Sequence, residues 1–304
     1  MASGLPSFTV VIPTFNYAQF VGKAIRSALR QTHAPVQVIV VDDGSTDDTP
    51  DVLAGFGGSI TVIRRSRGGP GAARNAALEI ARGECVAFLD SDDFWSPVKL
   101  ERQGAAALRY PAVTMFGCGA TVVDERGTMV DIRTVPTTTS LGAQSVEDLL
   151  LFRARTPTSG VVVRTETLRA VGGFDAQLEY CEDWEAWMRV AARGGLHIVG
   201  EPLVYVREHR SGTFRNADRL KRGMLAALAK AEVLHGFSRI TRRRARANVW
   251  EHVAYEHEIA RDPDAARDAF RRAALLWPLD WRFVLKAFRP LRHVDAAHYG
   301  GAAS

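Results

Sequence analysis

Short apolar runs alternate with amphipathic stretches along the first third of the chain. Residues 8–12 are an apolar run that predicts a strand. Residues 20–31 then place Val21, Ala24, Ile25, Ala28 and Leu29 at the spacing of one helix face. The apolar run 36–41 predicts a second strand, a short helix started by Thr46 or Asp47 runs to about residue 54, and residues 60–63 make a third strand. A glycine-opened helix over 68–81, a strand over 85–89 and a helix over 97–109 led by Pro97 follow. Strands alternating with helices are the signature of βαβ units, and near-continuous apolar strands imply a sheet covered by helices on both faces.

Beyond residue 113 the pattern changes. Residues 113–116 and 121–124 read as short strands, Asp124-Glu-Arg-Gly127 as a hairpin turn, and 129–135 as the returning strand. Residues 134–145, rich in Thr, Ser and Gly, predict a mobile loop. A strand over 160–163 and a helix over 181–193 come next, the helix stopped by Gly194-Gly195. From about residue 214 everything reads helical. Asp262 can cap and Pro263 can open a helix ending near Trp277-Pro278, and this segment resembles one helix of a tetratricopeptide-type hairpin, with no second copy at a fixed period. The expected division is an α/β domain over 1–213 and an α-helical region over 214–304.

Composition adds little until it is split along the chain. At 304 residues, 46% hydrophobic and 24% charged, the protein is ordinary globular material. The net charge of +5 is unevenly held: residues 1–206 carry 19 Lys+Arg against 23 Asp+Glu, and residues 207–304 carry 20 against 11. Basic runs such as Arg242-Arg243-Arg244-Ala-Arg246 can face anionic lipid or nucleic acid, or form a solvated helix face. No apolar stretch approaches the roughly 20 residues that span a bilayer, and no signal-peptide pattern precedes the first strand. Cys85, Cys118 and Cys181 are odd in number and lack metal-type spacing, which predicts a reduced, cytoplasmic protein.

The chemistry concentrates at strand ends, where open α/β sheets bind ligands. Phe88-Leu-Asp-Ser-Asp-Asp-Phe-Trp95 sets three carboxylates in four residues after a buried strand, a costly arrangement unless a cation is near. Asp90 and Asp92 point to the same side of an extended chain and suit Mg²⁺ or Mn²⁺ shared with a phosphate. Asp93 or Ser96 can serve as a helix cap. Val10-Val-Ile-Pro-Thr-Phe-Asn16 breaks at Pro13, where Phe15 can stack beside a base or plug the core. In Val41-Asp-Asp-Gly-Ser-Thr-Asp47 a carboxylate can accept from a base or ribose, while Asp47 reads as a cap. The glycines of Arg67-Gly-Gly-Pro-Gly-Ala-Ala-Arg-Asn75 can admit a diphosphate, and Arg74 can order the acidic cluster. That string lacks the Lys-Ser/Thr ending of a P-loop and follows the third strand, which argues against a nucleoside-triphosphatase and against a Rossmann fingerprint. Gly172-Gly-Phe-Asp175 precedes Tyr180-Cys-Glu-Asp-Trp-Glu-Ala-Trp187, whose Glu182 and Asp183 open a helix where the dipole favours ionised acids.

Taken in order, these motifs over about residues 7–213 resemble the family 2 inverting glycosyltransferases of GT-A fold. The resemblance implies a Rossmann-like mixed α/β sheet flanked by helices in residues 1–213, with the basic helices of 214–304 appended. It implies that Pro13, Phe15 and Asp43 hold the nucleobase, that Arg74 supports the nucleotide-binding loop, and that Asp90 approaches the ribose. Asp92, with Asp90 and with His209 of Arg207-Glu-His-Arg-Ser-Gly-Thr213, would hold Mn²⁺ or Mg²⁺, and Asp183 would be the general base. The implied reaction moves a hexose-like sugar from a nucleotide diphosphate donor, UDP by default, to an acceptor hydroxyl with inversion, in cell-surface polysaccharide or glycolipid synthesis. A carbohydrate or lipid-linked acceptor and a peripheral contact with the inner membrane face through the aromatic and basic C-terminal helices are expected; nucleic acid is not. The competing readings are a sugar nucleotidyltransferase and a non-catalytic nucleotide-sugar-binding protein.

Overall fold

The computed structural model of the protein describes residues 4–209 and 216–288. Four strands, β1 (Phe8–Thr14), β2 (Gln37–Asp42), β3 (Thr61–Arg64) and β4 (Cys85–Phe88), pair in parallel in the order β3-β2-β1-β4. Helices α1 (Ala18–Leu29), α2 (Thr49–Ala54), α3 (Pro70–Ile80) and α4 (Lys99–Arg109) connect them and lead onward through the two-residue strand β5 (Phe94–Trp95). The long strand β6 (Met115–Val123) follows, then β7 (Met129–Arg133), β8 (Thr138–Leu141), α5 (Ala143–Leu150), β9 (Val162–Arg164), α6 (Thr165–Ala170), α7 (Glu182–Ala192) and β10 (Gly195–Arg207). Strand β9 runs antiparallel to both β4 and β6 and so joins the parallel half to the rest; β10 lies parallel to β6, and β5 closes the path against β10.

Both faces of the central strands β1, β2, β4 and β6 are buried, which explains their unbroken apolar runs, while the edge strands β3 and β7 are largely exposed. Val11, Ile39, Val41, Val86 and Phe88 point into a core shared with α3, α5 and α7. Their neighbours Val10, Ile12, Val38, Val40 and Ala87 face α1 and α4 on the other side. Strand ends therefore emerge between two dry layers, where only the loops meet solvent.

Several elements differ from the sequence expectations. Residues 113–124 hold one strand, β6, not two. Its glycines do not break it but let neighbours close in: a Cβ on Gly117 would meet Thr156 at 2.8 Å, and one on Gly119 would meet the Arg133 carbonyl at 3.0 Å. The segment 134–145 is ordered as β8 and the start of α5. Strand β8 pairs antiparallel with β10, and the Ser145 hydroxyl donates to the Gly142 and Ala191 carbonyls. Strands β5 and β10 and helix α6 have no counterpart in the periodicity. The turn Asp124–Gly127 is as expected, with Gly127 N–H donating to the Asp124 carbonyl at 2.9 Å and a φ of +87° that glycine accommodates.

Among the described residues the C-terminal region forms four helices: α8 (Ala217–His235), α9 (Arg239–Ile259), α10 (Pro263–Leu276) and α11 (Trp281–Phe288). The side chains of Asn216, Ser238 and Asp262 cap the first three. Leu220, Met224 and Leu228 of α8, with Ala245 and Val249 of α9, belong to the same apolar core as Trp187. The boundary expected at residue 213, the Arg210–Thr213 part of the histidine motif and residues 289–304 lie outside the described residues.

Candidate active site

The loops after β1 and β2 lock each other in place. Asn16 adopts a left-handed φ of +56°, which an amide side chain tolerates. Its Oδ1 accepts from the Thr46 N–H at 2.8 Å, while its own N–H donates to Ser45 Oγ. Asp47 receives the N–H groups of Thr49 and Ala18 and so satisfies the first turns of two helices. Asp42 is fully buried and takes the Ser45 N–H at 2.9 Å. Asp43, also buried, accepts from the Gly68 N–H and, at 2.7 Å, from the Gly69 N–H. The Gly68 and Gly69 amides are thus turned to Asp43, which pins the glycine-rich loop to the end of β2. Pro13 sits half-buried in β1 opposite Val41, and half-buried Phe15 lies under the Arg67 guanidinium at 4.0 Å.

Helix α3 carries this anchoring toward the acids. Arg74, one and a half turns after Gly69, is buried and forks between two carboxylates: Nη1 to Glu182 at 2.6 Å and Nη2 to Asp90 at 2.9 Å. Charge-assisted bonds of this kind fix geometry as well as charge. Gly71 makes room for it, since a Cβ there would meet Glu182 at 3.1 Å. Asn75 clamps the next loop, its side-chain amide bonding both the N–H and the carbonyl of Phe174.

Around Asp90–Asp93 the acids take distinct positions. Asp90 leaves about a third of its side chain exposed (36%). Burial, reinforced by Asp92 and opposed by Arg74, raises its pKa. Asp92 meets His209 across the site, with 3.0 Å between Oδ2 and Nε2. Aromatic rings of Tyr17 and Phe20 wall in His209. Burial, with Asp92 and the other acids nearby, pushes the Tyr17 hydroxyl up to about 12, keeping it a neutral donor. Asp93 is buried and structural: it accepts from Ser159 Oγ at 2.6 Å and from the Arg207 N–H at 2.8 Å, and burial beside Asp92 and Asp90 holds its pKa well above the usual range. Neither Asp93 nor Ser96 caps α4, which starts at Lys99 without a side-chain cap.

Glu182 and Asp183 open α7, as expected. Burial, with Asp183 adjacent and Arg74 opposing, pushes Glu182 up to about 7. Asp183 is half-buried; one oxygen accepts from the Trp184 N–H at 2.7 Å and the other from the Thr158 hydroxyl. Thr158 and Ser159 occupy a 3₁₀ turn, Thr158–Gly160, just before β9. Ser159 also accepts the Asp90 N–H at 3.0 Å, so a single turn contacts Asp90, Asp93 and Asp183. Thr158, Ser159, Asn75, Tyr17 and the Arg207 backbone carry no local sequence signal for their places in the site. Their partners lie 66 to 99 positions away for Ser159–Asp93 and Asn75–Phe174, beyond any local pattern. The Thr156-Pro-Thr-Ser-Gly160 composition signals a turn and nothing about its partners.

The β1–β2 loop region (Pro13, Phe15, Asp43) and the acidic region (Asp90, Asp92, His209, Asp183) are therefore bridged by α3 and Arg74. Among the described residues no group of three or more His, Cys, Asp or Glu stands in metal-ligating arrangement, and no helix is long and apolar enough to cross a membrane.

Comparison with known proteins fits this geometry. The family model for Glycosyl transferase family 2 matches residues 9–160. An uncharacterized glycosyltransferase from Nostoc is 32% identical over 233 residues, 69% of this chain and 67% of that protein. The Escherichia coli UDP-Glc:alpha-D-GlcNAc-diphosphoundecaprenol beta-1,3-glucosyltransferase WfaP is 38% identical over 97 residues, 31% of this chain and 39% of its own. In fold, Staphylococcus aureus TarS, solved in complex with UDP and with UDP-GlcNAc, superposes with a TM-score of 0.65 at 19% identity, covering 92% of this chain and 88% of that one. The Pyrobaculum calidifontis mannosyltransferase PcManGT, in complex with GDP-Man and Mn²⁺, gives 0.59 at 21% identity over 94% and 85% of the two chains. The fold is GT-A, and with half its length matched by one family model and a relative at this identity, the chain belongs to glycosyltransferase family 2.

Proposed function

We propose that this glycosyltransferase moves a hexose from a nucleotide diphosphate donor to an acceptor hydroxyl with inversion, and that Asp183 is the base. The observation that carries the reading is the Arg74 fork: one guanidinium spans Glu182, the neighbour of the proposed base, and Asp90 of the donor acids. A base held against the donor-binding acids suits direct displacement, in which the acceptor hydroxyl attacks the anomeric carbon as its proton passes to the Asp183 carboxylate. The Thr158 hydroxyl and Trp184 amide hold that carboxylate in one orientation.

Pro13, Phe15 and Asp43 form the nucleobase end of the site, Arg74 steadies it, and Asp90 faces the ribose. UDP is the preferred nucleotide, supported by the UDP complexes of TarS and the UDP-Glc donor in the name of WfaP. Asp92 and His209, converging to 3.0 Å, with Asp90 beside them, are the residues that would hold Mn²⁺ or Mg²⁺, through oxygen and nitrogen donors such ions accept. Bound there, the ion would stabilise charge on the departing diphosphate. A lipid-linked acceptor in cell-surface polysaccharide or glycolipid synthesis is supported by the diphosphoundecaprenol acceptor of WfaP. Use of such an acceptor would call for a peripheral position at the inner membrane face.

Asp183→Asn is expected to lower transfer by about 10³-fold or more while donor affinity, read by thermal shift with UDP-sugars and Mn²⁺, stays within about threefold. Equal loss of binding and turnover would remove Asp183 from the base role. Asp92→Ala should instead weaken the metal-dependent part of donor binding.

A further inference from the structure

The five most exposed large apolar side chains among the described residues are Val233 (85%), Leu279 (81%), Leu275 (76%), Ile240 (68%) and Trp281 (67%). All five come from one end of the helical region. Helix α8 finishes at His235 and α9 begins at Arg239, while α10 returns along α9 to finish at Leu276 and α11 begins at Trp281. Arg243 of α9 ties the ends together by donating to the Leu275 carbonyl at 3.0 Å. Between them runs a groove of about 270 Å³, lined by Arg239, Ile240, Arg243, Trp277 and Leu279.

The charge at this end is one-sided. The start of α9 supplies Arg239, Arg242, Arg243, Arg244 and Arg246. The nearby acids are engaged: Glu232 with Arg246 at 3.0 Å and Asp280 with Arg282 at 2.6 Å. Protruding Leu and Trp side chains ringed by arginine exceed what a solvated helix face needs. A second copy of the chain would set these arginines against their own kind. Nucleic acid would satisfy the arginines but leave Leu275, Leu279 and Trp281 in water. An anionic lipid surface takes both, apolar tips at the acyl boundary and guanidinium groups among the headgroups.

We propose that this end of the α8–α11 region docks on an anionic bilayer surface, with Leu275, Leu279 and Trp281 as the inserted residues and Arg239 and Arg243 as headgroup ligands. No described helix is long and apolar enough to cross, so the contact is one of surface. Its purpose, bringing the site to a lipid-linked acceptor, rests on the reading above, but the docking is measured without turnover and stands or falls separately.

The test is flotation of the full chain with phosphatidylcholine vesicles containing one third phosphatidylglycerol, against pure phosphatidylcholine, at about 0.15 M salt. Recovery should be at least about tenfold higher on the anionic vesicles and fall steeply at about 0.5 M salt. Arg239→Ala with Arg243→Ala should weaken partitioning by about 30-fold. Leu279→Ser with Trp281→Ser should abolish it while thermal melting and UDP-induced stabilisation stay at the parent values, which shows the variant folded. Equal recovery on both vesicle types, no recovery on either, or partitioning unchanged in both variants overturns the proposal. So does concentration-dependent dimerisation lost with Leu279→Ser and Trp281→Ser, or tighter binding to duplex DNA than to the anionic vesicles.

Discussion

Lys99 carries an ammonium group into the core directly beneath the acidic loop. It is fully buried, donates to Gln103 Oε1 at 2.7 Å and lies 4.1 Å above the Trp95 ring, while Gln103 reaches on to the Gly160 carbonyl at 2.8 Å. Burial pushes its pKa down to about 8. Because the unfolded chain binds this proton more tightly, stability gained from the neutral form is present above the unfolded value and lost as pH falls toward 8. Between about pH 8 and 10.5 the Lys99 contribution should therefore rise by up to roughly 3 kcal/mol, against the buried thiols of Cys85, Cys118 and Cys181, whose raised pKa values act the other way. Lys99→Met removes the cost of the buried charge, and denaturant melts should show about 1 kcal/mol more stability at pH 7, with the parent gaining on the variant as pH rises from 8 to 10.5. A difference between parent and variant that does not change with pH there would place the titration elsewhere. Composition cannot reveal such a residue: in the sequence Lys99 is one more cation at a helix start.

The 3₁₀ turn Thr158–Gly160 shows at the next scale how distant motifs become one site. Thr158 bonds Asp183, Ser159 bonds Asp93 and the Asp90 amide, and the Ser159 carbonyl takes the Trp95 indole N–H at 2.7 Å. The two hydroxyls thus serve different partners, and their loss should separate. Thr158→Val is expected to lower turnover by about 10²-fold through misorientation of the base with donor affinity kept, and Thr158→Ser should restore most of it. Ser159→Ala leaves the buried Asp93 short of a donor and should cost about 1–3 kcal/mol of stability, read as a lowered melting temperature, alongside weaker metal-dependent donor binding. The strand ends β1, β2 and β4 and their acids were legible because apolar runs and carboxylate clusters are local signals. What escaped is long-range: β10 has polar and glycine interruptions at Gly200-Glu201-Pro202, and β5 and β8 are strands only because β10 lies beside them. Residues 134–145 look like a loop to any local measure, and pairing with β10 decides otherwise.

For the molecule as a whole, the question is whether the helical region is an appendage or part of the catalytic body. Sequence pattern separates it cleanly at about residue 214, since strands cease and the charge changes sign there. Packing does not follow that line. Leu220, Met224, Leu228 and Ala231 of α8 and Ala245 and Val249 of α9 sit in one apolar cluster with Leu149, Trp187 and Met188. Gly223 lets α8 approach Tyr180 so closely that a Cβ there would meet it at 2.6 Å, and Lys230 pairs with Asp175 of the Gly-Gly-Phe-Asp motif. Helix α8 therefore lines the loop that leads into Glu182 and Asp183. A chain ending at residue 213 would bare that apolar face and leave Asp175 without its cation. It is expected to melt at least about 10 °C lower than the full chain, or to aggregate, because several buried Leu and Met side chains at about 1.5–3 kcal/mol each exceed the margin of an ordinary domain. A truncation that also removes only α10 and α11, ending at residue 260, keeps α8 and α9 against the sheet and should melt within a few degrees of the parent and retain donor binding. If instead the chain ending at residue 213 folds and binds UDP-sugar like the full protein, the helices contribute to location alone, and the sequence boundary is the physical one.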